Sequence, residues 1–269
     1  MESPRLSGEL LLAHALGLER MDLYLRMDQP LRREELAGFK DLILRRRAHE
    51  PVAYLLGWRE FYGLRFRVGP GVLIPRPETE LLVDRGREFL SGEEAPRILD
   101  LCTGCGCVAI ALLAHLPRAR AVGVDLSARA LACARDNAED LGVAGRVEWY
   151  RGDLYQPVAA AGGFFELITA NPPYVAAREW DGLPAQVREY EPRRALVAGE
   201  DGLEVIRGVI GGAGAFLRAG GWLLVELGAG QAGSAAELAR ATGVFERVET
   251  ARDLAGVERV LCCRRGDYG

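Results

Sequence analysis

Lysine is almost absent from this chain: of 34 basic residues, Lys40 is the one lysine and the others are arginine. Acidic residues outnumber basic ones, and the net charge is −4. The chain therefore lacks the excess of positive charge on which broad nucleic-acid binding depends. We expect no direct contact with nucleic acid.

Long hydrophobic runs are also missing. Residues 108–114 are among the longest uncharged apolar stretches, whereas a membrane-spanning helix needs about 20 such residues. Residues 1–5 lack the charged-then-apolar form of a signal peptide. With 49% hydrophobic and 27% charged residues, the composition is typical of a soluble globular protein. We expect a cytoplasmic protein with no membrane partner.

A metal site is not indicated, although the chain has six cysteines and three histidines. Cys102, Cys105 and Cys107 share one short loop, but no second Cys or His pair stands at ligand spacing. Cys262 and Cys263 are adjacent, so they would point to opposite faces of a strand. We expect the cysteines to act as small, weakly polar loop and core residues.

The first part of the chain has helical periodicity. Apolar residues recur at helical spacing over residues 5–17, 21–27 and 32–47, and a short helical turn follows at 50–57. The alternating pattern of residues 58–68 predicts a β-hairpin. We assign residues 1–57 to a helical domain, residues 58–75 to a hairpin linker and residues 76–269 to a larger α/β domain.

From Pro96 onward, strand and helix patterns alternate, which predicts a mostly parallel sheet. The last two strands are joined by residues 251–257, too few for a parallel crossover, so we expect them to form an antiparallel hairpin. We place seven strands near residues 97–101, 120–125, 146–151, 165–170, 221–227, 244–250 and 258–263, and helices near 107–116, 127–141, 202–218 and 231–241.

A glycine-containing loop follows the first of these strands. Backbone without side chains lets a ligand approach, and the N-terminus of the next helix offers free N–H groups. The same loop also fits a dinucleotide-binding pattern, so by itself it does not identify the ligand. The loop residues are Cys102, Thr103, Gly104, Cys105 and Gly106.

Acidic residues follow the next two strands. Asp125 ends the second strand, at the position of an acid that accepts hydrogen bonds from both ribose hydroxyls; the alternative is an aspartate that caps the surface. Asp153 follows the third strand and would accept from an adenine amino group, while Leu154 would cover the adenine ring. The loop and Asp125 suit either a nicotinamide dinucleotide or S-adenosylmethionine.

The fourth strand decides between these ligands. It ends in Asn171-Pro172-Pro173-Tyr174, where two prolines stop the sheet ladder and hold the backbone stiff. The Asn171 side-chain oxygen and the Pro172 carbonyl form a fork of two acceptors, which suits an NH2 group with its two donors. A simple strand-ending turn is the alternative. A dehydrogenase has no use for such a fork, whereas a methyltransferase acting on an NH2 nitrogen does.

With these motifs together, the chain resembles the release factor glutamine methyltransferases, the PrmC/HemK family. The resemblance covers nearly the whole chain. The stretch Ile-Pro-Arg-Pro-Glu-Thr-Glu at residues 74–80 is its most specific part. Further matches lie at residues 50–54, 61–64, 171–174 and 191–203 and in the glycine loop.

The glycine loop departs from the family pattern at two positions. Cys102 replaces a glycine, and Cys105 replaces a serine or threonine. Both residues are small, so we expect cofactor binding to survive. Position 102 is nevertheless expected to need a backbone shape that glycine adopts more easily.

The resemblance implies a Rossmann-like class I methyltransferase domain that uses S-adenosylmethionine and releases S-adenosylhomocysteine, with no metal. The implied substrate is the glutamine of the Gly-Gly-Gln motif in class 1 peptide chain release factors, and the implied role of residues 1–57 is to bind the release factor. Residues 171–174 would hold the substrate amide, Asn171 would also lie against the cofactor, and Tyr174 would wall the pocket. We expect the protein to act as a monomer.

Two other functions stay open at this point. One is a DNA or RNA amino-methyltransferase, against which the acidic balance and the lack of a basic recognition domain count. The other is a non-catalytic S-adenosylmethionine-binding regulator, against which the intact Asn-Pro-Pro-Tyr motif counts.

Overall fold

The computed structural model describes residues 3–159 and 164–267. The chain begins with four helices: α1 (Pro4–Leu16), α2 (Arg20–Leu25), α3 (Arg33–Arg47) and α4 (Val52–Leu56). The Ser3 side chain caps the start of α1, and Gly17 ends it in a left-handed conformation with φ 64°. These helices share a small apolar core that includes Leu11, Leu42, Val52, Leu55 and Leu56.

An antiparallel hairpin leads into the larger unit. Its strands are β1 (Trp58–Phe61) and β2 (Leu64–Arg67), and Phe61 and Phe66 are buried in the core of the larger unit. Residues 68–76 then run without regular structure to a 3-10 turn, Pro77–Thr79, and to helix α5, Glu80–Phe89. We call residues 69–76 the strap, because residues 71–73 form part of the wall of the cleft described below.

The larger unit is built on a seven-stranded sheet with the order β5-β4-β3-β6-β7-β9-β8. Strands β3 to β7 pair in parallel with one another, and β9 pairs antiparallel with both β7 and β8. This confirms the predicted fold class, including the C-terminal antiparallel hairpin. The strands are β3 (Arg97–Leu101), β4 (Arg120–Asp125), β5 (Val147–Arg151), β6 (Phe165–Ala170), β7 (Leu217–Glu226), β8 (Phe245–Arg252) and β9 (Glu258–Arg265).

Helices cover both faces of this sheet, each over its own apolar cluster. They are α5, α6 (Cys107–His115), α7 (Ala128–Asp140), α9 (Glu204–Ala213) and α10 (Ala232–Ala241), whereas α8 (Ala185–Tyr190) lies in the segment between β6 and α9. Strand β3 has β4 on one side and β6 on the other, so the chain order reverses there. In an open α/β sheet, ligands bind at the carboxyl ends of the strands beside such a reversal.

One helix and one strand differ from the sequence-based boundaries. A helix was expected over residues 202–218, but α9 ends at Ala213 and β7 already begins at Leu217. The apolar pattern continues through this stretch, whereas Gly211, Gly212 and Gly214 weaken the helix. The pattern alone therefore gave too long a helix.

The segment between β6 and α9 contains short helices that the sequence pattern did not predict. They are the 3-10 turns Ala177–Gly182 and Arg193–Ala195 and the helix α8 between them. Each is only one or two turns long, so its hydrophobic periodicity is too short to recognise. Together they cover the end of the sheet at which β6 stops.

Helix α4 belongs to two apolar clusters at once. Val52 and Leu55 pack into the core of the N-terminal helices, while Ala53 and Tyr54 pack into the core of the larger unit. In the described part of the chain, no helix is long and apolar enough to cross a membrane.

Candidate active site

A cleft of about 310 Å³ lies at the carboxyl ends of β3, β4, β5 and β6. Its walls come from the glycine loop, the ends of β4 and β5, the strap, and the segment after β6. The residues that line the cleft include Val72, Leu73, Cys102, Gly104, Asp125, Leu126, Asp153, Leu154, Asn171, Pro173 and Arg194. Elements far apart in sequence thus meet at the carboxyl-terminal end of the sheet.

The glycine loop turns sharply between β3 and α6. Cys102 has a φ of 55° and Gly104 one of 58°, both in the left-handed region. Position 102 thus adopts the conformation that glycine takes more easily, as the sequence predicted. Cys102 and Gly104 line the cleft, while Thr103 and Cys105 line a smaller pocket beside it.

Gly106 packs closely against side chains behind the loop. It is not among the residues that line the cleft or the smaller pocket. Its φ is 81°, and a Cβ atom there would lie 2.8 Å from the Trp149 ring and 2.9 Å from the Ile110 side chain. Gly106 therefore permits close packing behind the loop and supports the site from outside.

Asp125 fastens the loop to the next strand. Its Oδ2 accepts from the Gly104 backbone N–H at 2.9 Å, and its Oδ1 accepts from the Ser127 N–H at 2.7 Å. Burial raises the pKa of this carboxyl, and the two N–H groups and Arg194 act in the opposite direction. The carboxylate is thus fixed in the cleft wall, with lone pairs left for a ligand.

Three further residues line the same part of the cleft. Asp153 and Leu154 stand where the sequence placed them, and Leu154 has a φ of 44°. Leu126 was missed: its side chain lines the cleft and is 56% exposed. The available signal in the sequence was a leucine directly after the strand-ending Asp125, since apolar side chains in clefts commonly contact ligands.

The strap is anchored at two points over the cleft. The Tyr54 hydroxyl donates to the Val72 carbonyl at 2.6 Å. The Ile74 N–H donates to Oε2 of Glu191 at 3.1 Å, and Arg76 pairs with Oε1 of the same carboxylate. These bonds hold the residues on either side of Leu73, and Leu73 lines the cleft and both smaller pockets.

Asn171 lies at the meeting point of the cavities. It lines the cleft, the pocket beside the glycine loop, and a third pocket that also includes Arg76 and Tyr174. Its Nδ2 donates to Oγ1 of Thr79 at 3.1 Å, so its Oδ1 is the end of the amide left for a ligand. Thr79 lies in the most specific motif of the sequence, yet its contact with Asn171 was not foreseen.

The other three residues of the motif are distributed around Asn171. Pro173 lines the cleft, and Tyr174 lines the third pocket. Pro172 is buried and is not among the lining residues of these three cavities. The side chain of Pro172 therefore acts in packing, and any part in binding falls to its backbone carbonyl.

Tyr174 is fixed through its backbone. Its N–H donates to Leu196 O at 3.1 Å, and its carbonyl accepts from Nε2 of Gln231 at 2.9 Å. Gly202 lies so close that a Cβ there would be 2.3 Å from the same carbonyl. Burial, followed by the charge of Glu226, raises the pKa of the Tyr174 hydroxyl to about 12, so the ring is neutral at neutral pH.

Two buried carboxyl groups stand behind the site. Asp100 accepts from the Thr103 and Thr169 hydroxyls, and burial raises its pKa to about 6. Glu226 is 2% exposed, and burial raises its pKa to about 7. Neither was singled out by the sequence, where a charged residue in a buried strand was the only signal.

Groups of three or more His, Cys, Asp or Glu residues arranged to hold a metal ion do not occur within residues 3–159 and 164–267. The loop cysteines are free thiols, and burial raises the pKa of the Cys102 thiol well above its ordinary value. Cys102 is therefore protonated at neutral pH and contributes no charge to the cleft.

Two family models match the chain. Residues 1–57 match the PrmC N-terminal domain, and residues 78–186 match the methyltransferase small domain. Among solved structures, the chain is similar to a ribosomal protein L11 methylase from Lactobacillus delbrueckii subsp. bulgaricus, with TM-score 0.51, 21% identity, and coverage of 75% of this chain and 85% of that one. It is also similar to the 16S rRNA N2 G1207 methyltransferase of T. thermophilus, with TM-score 0.56, 21% identity, and coverage of 77% and 50%. At this identity these structures show the fold alone.

The curated relatives are much more similar. A release factor glutamine methyltransferase of Geobacter sulfurreducens is 44% identical over 99% of this chain and 91% of its own length. The protein of the same name from Rhodopirellula baltica is 41% identical over 98% and 90%. Similarity of this extent includes the helical unit, the strap, the glycine loop and the Asn171 segment, and so the chain belongs to the release factor glutamine methyltransferase family.

Proposed function

We propose that this chain transfers a methyl group from S-adenosylmethionine to the side-chain amide nitrogen of the glutamine in the Gly-Gly-Gln motif of class 1 peptide chain release factors. The names of the curated relatives support this reaction. The main structural support is the orientation of the Asn171 side-chain amide, whose NH2 group donates to Thr79. Its oxygen is then available to accept from a substrate amide.

The cleft fits S-adenosylmethionine. Residues 102–106 turn the backbone into the start of α6, whose first residues, Cys107 and Val108, line the pocket beside the cleft. The fixed carboxylate of Asp125 suits a ribose, while Asp153, Leu154 and Leu126 suit an adenine. When bound, S-adenosylmethionine supplies an electrophilic methyl group and leaves as S-adenosylhomocysteine. We propose that no metal takes part.

The substrate amide nitrogen is a poor nucleophile because its lone pair is delocalised. Asn171 Oδ1 and the Pro172 carbonyl would accept its two N–H groups and thereby fix its direction, which is catalysis by positioning. The same acceptors disperse the positive charge that develops on the nitrogen as the methyl–sulfur bond breaks. The methylated nitrogen then gives up one of its two protons to water, which leaves the neutral N-methyl amide. Tyr174 stays protonated at neutral pH, so its proposed role is to wall the pocket.

The helical unit carries a concentration of exposed apolar side chains. Met21, Leu25, Met27 and Leu44 are each at least 59% exposed, and exposed apolar patches are typical of protein-binding surfaces. We therefore propose that residues 1–57 are a release-factor-binding domain, residues 58–75 a hairpin linker and residues 76–269 the catalytic domain. We propose a cytoplasmic monomer that acts on protein and not on nucleic acid.

Mass spectrometry of a release factor after incubation with the protein and S-adenosylmethionine tests this function. We expect a mass gain of one methyl group on the glutamine of the Gly-Gly-Gln motif. The variant Asn171→Ala, confirmed folded by circular dichroism, should give almost no product, because the amide then rotates away from the methyl group. A folded Asn171→Ala variant that works at the wild-type rate would refute the role of the fork.

The same assay separates the two alternatives. Methylation of DNA or RNA instead of the release factor would identify an amino-methyltransferase of nucleic acids. Binding of S-adenosylhomocysteine without transfer to any of these substrates would identify a non-catalytic regulator.

A further inference from the structure

Thr79 lies between two side chains that the sequence keeps far apart, Asn171 and Glu226. Strands β6 and β7 are parallel, with Ala170 opposite Val225, so Asn171 and Glu226 come next at the same sheet edge. Thr79, just before α5, is 1% exposed, and Glu226 is 2% exposed. Buried polar groups must satisfy one another, because water does not reach them.

The hydrogen bonds of Thr79 account for the orientation of the Asn171 amide. A threonine hydroxyl has one proton to donate and lone pairs to accept. Thr79 accepts from Nδ2 of Asn171 at 3.1 Å, and its hydroxyl interacts with the neighbouring Glu226 carboxylate and lowers the pKa of that carboxyl. Because a carboxylate only accepts hydrogen bonds, the hydroxyl proton of Thr79 points to Glu226. Since the proton is already used, the Asn171 oxygen has no donor on that side, and only the NH2 group fits against Thr79.

A rotated amide would disable the fork. If the oxygen and nitrogen of Asn171 exchanged places, an NH2 group would face the NH2 group of the substrate, and two donors cannot bond each other. We propose that Thr79 and Glu226 are positioning residues, which hold the Asn171 amide with its oxygen toward the substrate nitrogen. This inference rests on the proposed function, since it assigns a partner to the same fork.

The charge on Glu226 determines whether Thr79 holds the Asn171 amide in this orientation. One of its oxygens, Oε2, has no hydrogen-bond partner among the described residues. Burial and the charge of Glu78 raise its pKa to about 7, while Thr79 and two arginines lower it. A protonated Glu226 has an O–H of its own to donate, so the Thr79 hydroxyl is free to turn toward Asn171. The charged or titratable groups that face Glu226 are Arg76, Glu78, Cys107, Tyr174 and Arg259.

The matched variants Thr79→Val and Thr79→Ser test the proposal. Valine has the shape of threonine without its hydroxyl, whereas serine keeps the hydroxyl. We expect Thr79→Val to lower kcat by about tenfold or more, the loss of one to two hydrogen bonds, with KM for the release factor unchanged. Thr79→Ser should restore most of kcat. Calorimetry should give wild-type affinity for S-adenosylhomocysteine in both variants.

The pH profile provides a readout that a purely structural role would not change. In the wild type, kcat should fall as the pH drops through about 7, because protonation of Glu226 releases the Thr79 hydroxyl. Glu226→Gln does not titrate and keeps an oxygen that accepts from Thr79. This variant should keep most of its kcat at pH 8 and lose the decline on the acid side.

Each outcome bears on one claim. A Thr79→Val variant with wild-type kcat, beside an inactive Asn171→Ala, would overturn the positioning role and leave the proposed function intact. Equal losses in Thr79→Val and Thr79→Ser would also overturn it. If Thr79→Val does not fold, the comparison of Glu226→Gln with the wild type decides, and an unchanged acid limb would refute the proposal.

Discussion

Arg76 and Glu191 form an ion pair at the edge of the candidate active site, with Arg76 Nη2 2.5 Å from Glu191 Oε1. The Glu191 side chain is 1% exposed, and its other oxygen accepts from the Ile74 N–H. One buried carboxylate thus fixes the strap to the segment after β6. Sites built in this way depend on the supporting contacts as much as on the residues that touch ligand.

Removing Glu191 should destabilise the fold strongly. Glu191→Ala leaves the Ile74 N–H without its acceptor and the Arg76 guanidinium without its partner, and we expect a loss of about 3 kcal/mol in the free energy of unfolding. Urea denaturation measures it. The control is Glu94→Ala, which breaks the exposed pair with Arg118 and should cost less than about 1 kcal/mol. Similar losses in both variants would contradict this account.

Asp125→Ala should weaken the binding of S-adenosylhomocysteine by about 10- to 100-fold, which corresponds to roughly 1.5–3 kcal/mol for hydrogen bonds to a charged group. The loss has two sources: the ribose contacts, and the anchoring of the glycine loop through Gly104. Isothermal titration calorimetry measures the affinity. Asp136→Ala, an exposed change on α7, is the control and should bind normally. An unchanged affinity in Asp125→Ala would remove Asp125 from the site.

Cys102→Gly should stabilise the protein by about 1 kcal/mol, because residue 102 has a φ of 55° and a left-handed conformation costs a non-glycine residue roughly this much. Cys105→Gly is the matched control: Cys105 is buried and is not among the residues with positive φ, so glycine there should destabilise. Thermal or urea unfolding of both variants tests the pair. Destabilisation by Cys102→Gly would show that the thiol contributes more than its backbone strain costs.

Glu226→Gln should stabilise the fold at high pH and not at low pH. The pKa of Glu226 is about 7 in the folded protein against an ordinary 4.5, so between these values the folded state binds more protons than the unfolded one. Its free energy of unfolding therefore falls as the pH rises through this window. Glutamine does not titrate, so the advantage of the variant should grow to about 3 kcal/mol by pH 8. Asp100 titrates in both proteins, and its contribution cancels in the difference.

Unfolding midpoints at pH 4.5 and pH 8 measure this effect. Glu139→Gln, an exposed change on α7, should show no comparable dependence. If Glu226→Gln and the wild type differ in stability by the same amount at both pH values, burial does not raise the pKa of Glu226.

The mostly parallel sheet and the succession of strands and helices along the chain could be predicted from the sequence. Buried parallel strands appear as apolar runs, and their ends carry recognisable residues. Asp125 and Asn171 each end such a run, so their convergence at one edge follows from the geometry of a parallel sheet. The glycine loop was recognisable for the same reason, since it follows the apolar run of β3. The left-handed backbone of this loop at Cys102 was also expected, because the family pattern has glycine at that position.

Side-chain partners across the fold were not accessible in this way. Thr79 and Asn171 are 92 residues apart, and no local pattern states that one orients the other. The sequence likewise did not show that the lack of a Cβ at Gly106 makes room for Trp149. Such roles depend on which residues a third element brings into contact, and spacing along the chain does not contain that information.

Helix α4, five residues long, gives Val52 and Leu55 to one core and Tyr54 to the other. Unfolding the first helices would pull Tyr54 away from the Val72 carbonyl at the cleft wall, so we expect the two units to unfold together. The two units therefore share one cooperative denaturation. By mass action, a ligand that fills the cleft also raises the folded population of the helices at the opposite end of the chain.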